Sequence, residues 1–245
     1  VVVGRNPDPF SIRCAPIVLG SAWDALTNVT EVVERELNAA ATNPLVLSDH
    51  RVLEVGNFHG APVALALDHL KIALTQVASI SERRSFRMTY GQLSGLPSFL
   101  LKSTGLNSGL MLAQYTAASL VSECKGWSHP ASVDSIPTVQ HHEDHASMGA
   151  IAGKGAMIIL DLLADVLAIE LLCGAQGLDF HLAGESVGED GEIVSVKPRR
   201  PGERAYEVYE DVRALVPRWQ DDRVLYPDLV ALGAAVRAGV FSDLE

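Results

Sequence analysis

Apolar residues recur along most of this chain at intervals of three and four, the spacing that lines up one face of an α-helix. Over 21–38 the positions Ala22, Leu26, Val29, Val33 and Leu37 step by four, three, four and four. Over 62–87 the residues Val63, Leu67, Leu70, Leu74 and Val77 keep a four-three repeat of the kind that forms a bundle seam. A third helix is predicted over 108–125, dense in small residues such as Ala113, Ala117 and Ala118. A fourth, over 144–176, carries Met148, Ile151, Ile158, Leu162, Val166, Ile169 and Cys173 and would be on the order of 50 Å long. Two shorter helices are expected over 204–216 and 227–238. Between the helices lie breaks: the Pro-rich segment 1–19, expected to be irregular or extended, Asn43-Pro44-Leu45, and Gly95-Leu96-Pro97. Residues 184–203, rich in Gly, Glu and Pro, read as an exposed loop. The fold class is all-α, a bundle of long helices, with no internal repeat.

Composition agrees with that pattern. The 245 residues are 48% hydrophobic but only 6% aromatic, so the core is aliphatic, as packed helices prefer and β-sandwiches do not. The long helix is apolar on most sides, which points to burial among helices of several subunits. A net charge of -11 excludes a general nucleic-acid surface; the single basic run is Lys197-Pro198-Arg199-Arg200. No uninterrupted apolar run reaches the roughly 18 residues of a membrane span. Cys14, Cys124 and Cys173 are widely spaced and odd in number, which fits reduced thiols and a cytoplasmic location. The opening Val-Val-Val-Gly has no initiator Met, as expected of a piece of a longer polypeptide.

Five stretches have compositions that plain helices and turns do not explain: 8–16 (DPFSIRCAP), 36–46 (ELNAAATNPLV), 56–68 (GNFHGAPVALALD), 105–114 (GLNSGLMLAQ) and 129–149 (HPASVDSIPTVQHHEDHASMG). The last holds His141, His142, Glu143, Asp144 and His145 side by side. His141 and His145 would share a face if the segment were helical, but a bare H-x3-H pair with no cysteine nearby makes a weak metal site, and none is expected. For Asp144 and His145, helix capping or a solvated loop is the simpler reading.

In this order and at these separations the five stretches resemble the C-terminal half of the aromatic amino acid ammonia-lyases, with the histidine ammonia-lyases nearest in wording. SIRC, GNFHG-P, LNSG-M-AQ, HP-SVDS-PT and EDH-SMG carry the likeness, which extends to KPRRPGERAYE and LYPDL near the end. The resemblance implies a fumarase/aspartase-like bundle in a homotetramer, with active sites assembled from several subunits. It also implies a methylidene-imidazolone electrophile formed from an Ala-Ser-Gly tripeptide in an N-terminal half, which is absent from these 245 residues, and an amino acid substrate that loses ammonia to leave an α,β-unsaturated acid. By the same resemblance Arg13 grips the substrate carboxylate, a task suited to a bidentate guanidinium. Phe58 lines the pocket beside the ring, Glu143 faces the ring or amino group, and His142 is its neighbour.

The sequence departs from the family pattern at three places. Phe10 stands where the family has a tyrosine tied to catalysis, Pro7 where a glutamine is usual, and His141-His142 where Asn-Gln precedes the glutamate. A phenyl ring cannot move a proton. Two readings of different class follow: part of a histidine ammonia-lyase-like enzyme, supported by the joint presence of Arg13, Phe58 and Glu143, and a catalytically silent structural or regulatory subunit, supported by Phe10 and Pro7.

Overall fold

A computed structural model describes residues 8–102, 105–188 and 192–242. Pro7 lies outside the described residues. Eight α-helices carry the described chain: α1 (Phe10–Arg13), α2 (Ala15–Leu37), α3 (Ala61–Thr89), α4 (Gly91–Ser94), α5 (Met111–Trp127), α6 (Gly149–Ala183), α7 (Glu203–Leu215) and α8 (Tyr226–Arg237). Two antiparallel pairs interrupt them, β1 (Leu45–Val46) with β2 (Val52–Leu53), and β3 (Glu185–Val187) with β4 (Ile193–Ser195). The all-α expectation holds.

Helix boundaries correct the sequence reading at three points. The Pro-rich start is helical from Phe10 rather than extended. Pro9 sits at the N-cap of α1 and Pro16 in the first turn of α2, where a missing N–H breaks no intrahelical bond. The long helix begins at Gly149, not Asp144. Before it, the His145 carbonyl accepts a bond from His59, the Ala146 N–H donates to Ser135 Oγ, and Met148 has φ 57°, so the segment is pinned in non-helical backbone. The same helix runs on past Gln176 to Ala183, because Phe180 continues the buried face set by Ile169 and Cys173. It ends at Gly184, whose φ of +69° and whose backbone approach to the Val196 carbonyl leave no room for a Cβ. The segment 184–203, expected to be an exposed loop, carries the β3–β4 hairpin. There the Ser186 hydroxyl and the Val187 N–H both donate to the Gly95 carbonyl.

The chain divides into two compact units, to which α3, α5 and α6 each contribute residues. One unit comprises 1–15, 78–123 and 161–245. Its core is aliphatic: Leu100, Leu110, Ala117, Ile169, Leu172 and Leu232 are fully buried, joined by Phe180 and Trp219. At its centre the buried Gln176 amide donates to the carbonyls of Leu100 and Trp219 and accepts from the Trp219 N–H and Arg213 Nη2. Asp222 accepts the N–H groups of Ser108 and Gly109 at 2.7 and 2.8 Å just ahead of α5, which explains the unusual composition of 105–114 as a capped turn.

The second unit comprises 16–77 and 124–160. Many of its buried residues are small, among them Ala25, Ala64, Ala66, Ala73 and Ala152, beside Val29 and Ile159, and they include an ion pair: Lys71 Nζ lies 2.6 Å from Asp68 Oδ1, with both side chains almost fully buried. The leucine seam read from the sequence of α3 is only half-buried, while Asp68 and Lys71 lie deeper. By length and composition α3 would pass for a membrane span. Its buried ion pair, held by loop backbone, is the mark of a core helix. On α2 Ala25 and Val29 are buried, but other apolar side chains are open: Ile17, Trp23 and Leu37 are 72%, 70% and 80% exposed, and Leu26, placed on the inner face by periodicity, is 43% exposed.

Candidate active site

Phe10 and Arg13 belong to the first unit, and Phe58, His142 and Glu143 to the second. In the first unit α1 is a single turn that stacks the Arg13 guanidinium 5.0 Å from the centroid of the Phe10 ring. Arg13 Nε donates to the Asp8 carbonyl at 2.6 Å. Among the described residues its two Nη groups have no hydrogen-bond partner, so the edge of the fork suited to a carboxylate is available. Phe10 is 70% exposed, on the same turn. Behind this turn the carboxylate of Glu170 takes a two-pronged bond from Arg84 and a third from Ser81 Oγ, and Arg84 Nη1 reaches the Ser11 carbonyl at 3.5 Å.

In the second unit the loop bearing Phe58 and the segment bearing Glu143 are fastened to each other. His59 Nδ1 accepts the Ala61 N–H, which places the His59 proton on Nε2. That nitrogen lies 3.1 Å from both the His145 carbonyl and His145 Nδ1, and the two rings are 5.1 Å apart. Next to it Gly60 comes so near Ser147 that a Cβ would meet the serine Oγ at 3.2 Å. Phe58 itself is more than half exposed.

Glu143 closes a tight loop. The Thr138 N–H donates to the Glu143 carbonyl at 2.9 Å, the Glu143 N–H returns to the Thr138 carbonyl at 3.4 Å, and Thr138 Oγ1 donates to Glu143 Oε2 at 2.5 Å. Between them Val139, Gln140 and His141 all have positive φ, at 47°, 55° and 69°. Left-handed backbone costs a residue with a Cβ about 1–2 kcal/mol, and a β-branched valine there is a genuine outlier. The histidine run is therefore not helical, and His141 and His145 do not share a helix face. His142 is exposed and its N–H closes the turn on the Val139 carbonyl. Among the described residues no group of three or more His, Cys, Asp or Glu is disposed to hold a metal ion.

A buried ion pair supports this segment from below. Lys71 Nζ donates to the His129 carbonyl at 2.9 Å, and Asp68 Oδ2 accepts the Ser132 N–H at 2.7 Å, so α3 grips the start of the 129–149 stretch. Burial pushes the Asp68 carboxyl up, but the bonds from Lys71 and Ser132 outweigh it and hold the group below the usual carboxylate range. Burial, with Glu170 nearby, pushes the thiol of the fully buried Cys173 up to about 12.

The family model for aromatic amino acid lyases matches residues 4–214. The chain belongs to the aromatic amino acid lyase family. Among the relatives of this lyase chain, the histidine ammonia-lyase of Symbiobacterium thermophilum is 46% identical over 236 residues, which are 96% of the chain and 44% of that protein. The crystal structure of histidine ammonia-lyase from Trypanosoma cruzi matches with a TM-score of 0.86 at 41% identity, covering 96% of the chain and 44% of that structure's chain. Tyrosine aminomutase from Streptomyces globisporus matches with the same TM-score at 33% identity, covering 99% and 47%. The chain thus spans less than half the length of the curated relatives it matches.

Thr138 and His59 are the residues that sequence reasoning passed over. His59 stood inside a quoted motif, beside Phe58, and its invitation to a closer look was a ring-bearing polar residue between Phe and Gly. Thr138 likewise stood inside a quoted motif, as the last residue of HP-SVDS-PT, but its part in the loop closure is one that periodicity does not reveal.

Proposed function

We propose that this chain supplies the substrate-holding side chains of a histidine ammonia-lyase-like enzyme, which removes ammonia from an amino acid to leave an α,β-unsaturated acid. The observation that carries the reading is the fastening of the Phe58 loop to the Glu143 segment through His59 and Gly60. It keeps an aromatic wall and a carboxylate in one unit, as recognition of an imidazole ring requires. In the assembled protein Arg13 takes the substrate carboxylate through its Nη groups, Phe58 flanks the ring, and Glu143, with His142 beside it, accepts a bond from an imidazole N–H or from the amine.

The methylidene-imidazolone group of this family supplies an electrophile for the substrate amine or ring. These 245 residues contain no Ala-Ser-Gly, so the side chains described above do not form it. In this proposal an N-terminal half provides it, in a cytoplasmic oligomer of the tetrameric kind. The steps assigned to this chain are binding, orientation and the holding of a proton-accepting carboxylate.

Replacing Glu143 with Gln is expected to weaken imidazolepropionate more than phenylpropionate, since only the former loses a charge-assisted bond of about 1.5–3 kcal/mol. Calorimetric titration of both ligands checks this, and equal losses would refute the histidine-like substrate. A second reading, binding without turnover, is favoured by Phe10, which puts a phenyl ring beside the carboxylate-binding arginine in place of a proton-carrying phenol.

A further inference from the structure

We propose that Thr138 is the positioning residue for Glu143, its hydroxyl fixing one carboxylate oxygen so that the other is presented to the ligand. The inference rests on the reading of Glu143 as the carboxylate that faces the substrate.

Three observations converge on it. The Thr138 hydroxyl spends its single proton on Glu143 Oε2 at 2.5 Å, a charge-assisted bond that selects one rotamer of a side chain with three rotatable bonds. The backbones of the same two residues are paired in both directions, so hydroxyl and carboxylate are delivered to each other by the loop itself and do not meet by chance. The loop that achieves this forces Val139, Gln140 and His141 into left-handed backbone without a glycine among them. Strain of this kind persists where the surroundings over-determine it, and it clusters at sites of function. On the far side of Glu143 a second anchor holds the chain, through His59 on His145 and Ser135 Oγ on the Ala146 N–H. Glu143 therefore lies five residues after one fixed point and two to three before the other, with Thr138 alone hydrogen-bonded to its carboxylate among the described residues. Without the hydroxyl the carboxylate would have to be ordered each time a ligand binds, and affinity for an imidazole would fall.

A double-mutant cycle tests this, with imidazolepropionate as the probe and calorimetry as the readout, on the protein assembled with its Ala-Ser-Gly-bearing half. Thr138→Val, isosteric but without a hydroxyl, is expected to weaken imidazolepropionate about fivefold while phenylpropionate changes by less than about twofold. Thr138→Ser keeps the hydroxyl and is expected to bind within about twofold of the parent. In a Glu143→Ala background, Thr138→Val should cost nothing further. Equal losses with and without Glu143 would make Thr138 a merely structural residue and overturn the proposal, as would no loss at all. If Glu143→Ala by itself leaves imidazolepropionate binding unchanged, it is the ligand-facing role of Glu143 that fails, and the role of Thr138 falls with it. Thermal melts of each variant separate unfolding from a change in affinity.

Discussion

In the proposed function, Phe10 is the side chain on which the chemistry turns. It lies on the turn that presents Arg13, stacked against that guanidinium, so a phenol in its place would reach the same surroundings with one added oxygen. Phe10→Tyr is expected to raise turnover on histidine by about 100-fold, the lower end of what a positioned acid or base contributes. Steady-state kinetics of the two proteins, each assembled with its Ala-Ser-Gly-bearing half, checks this. No gain alongside undiminished parent activity would mean that another group moves the proton. Arg13, Phe58 and Glu143 could be named as candidates from motifs because the chemistry proposed for them resides in the side chain. His59 and Thr138 stand in the same motifs but do not stand out there, because they act on a backbone carbonyl and on a closed loop. The left-handed run from Val139 to His141 was illegible for a related reason: no glycine marks it, and valine argues locally against it.

Among the elements, α3 shows how far periodicity reaches. The repeat of leucines correctly gave a helix over 62–87, observed as Ala61–Thr89. It assigned the inward face to Val63, Leu67, Leu70, Leu74 and Val77, whereas the deepest positions in that stretch include Asp68 and Lys71. A charged pair scores as surface in any hydrophobic pattern, and only the loop carbonyl and N–H waiting for it make burial tolerable. Asp68→Asn is expected to destabilise the fold at neutral pH by about 3–5 kcal/mol, because it strands a buried Lys71 charge. The pH dependence has a definite sign. The folded carboxyl sits below its unfolded value, so its contribution is complete above about pH 4 and is lost as pH falls through the folded value. Urea unfolding across the acid range should therefore show a shallower acid limb for the variant than for the parent. The start of α6 was misread by five residues for the opposite reason, since Asp144 to Met148 have helix-compatible side chains but are kept out of the helix by the bonds of His145 and Ala146 to His59 and Ser135 and by the left-handed backbone of Met148.

At the scale of the whole molecule, apolar surface remains uncovered on several helices. Ile151, Met157 and Leu160 on α6 are half exposed or more, while Val166, Ile169 and Leu172 further along the same helix are sealed. Apolar faces of this extent mark contact surfaces. We propose that this surface is covered by association, in the tetramer that the family resemblance implies, and light scattering at micromolar concentration that shows a stable, compact monomer would remove this expectation. The exposed apolar side chains of α2 also make that assembly visible by optical means. Of the three tryptophans, Trp219 is 3% exposed and Trp23 is 70% exposed. Light emitted by the indole of Trp23 reports directly on whether α2 is wetted. On dilution of an assembled sample, its emission should move to the red and become open to quenching by acrylamide, while the buried Trp219 stays dark to the quencher. If α2 is covered in the proposed assembly, a Trp127→Phe background makes Trp23 a fluorescent gauge of association.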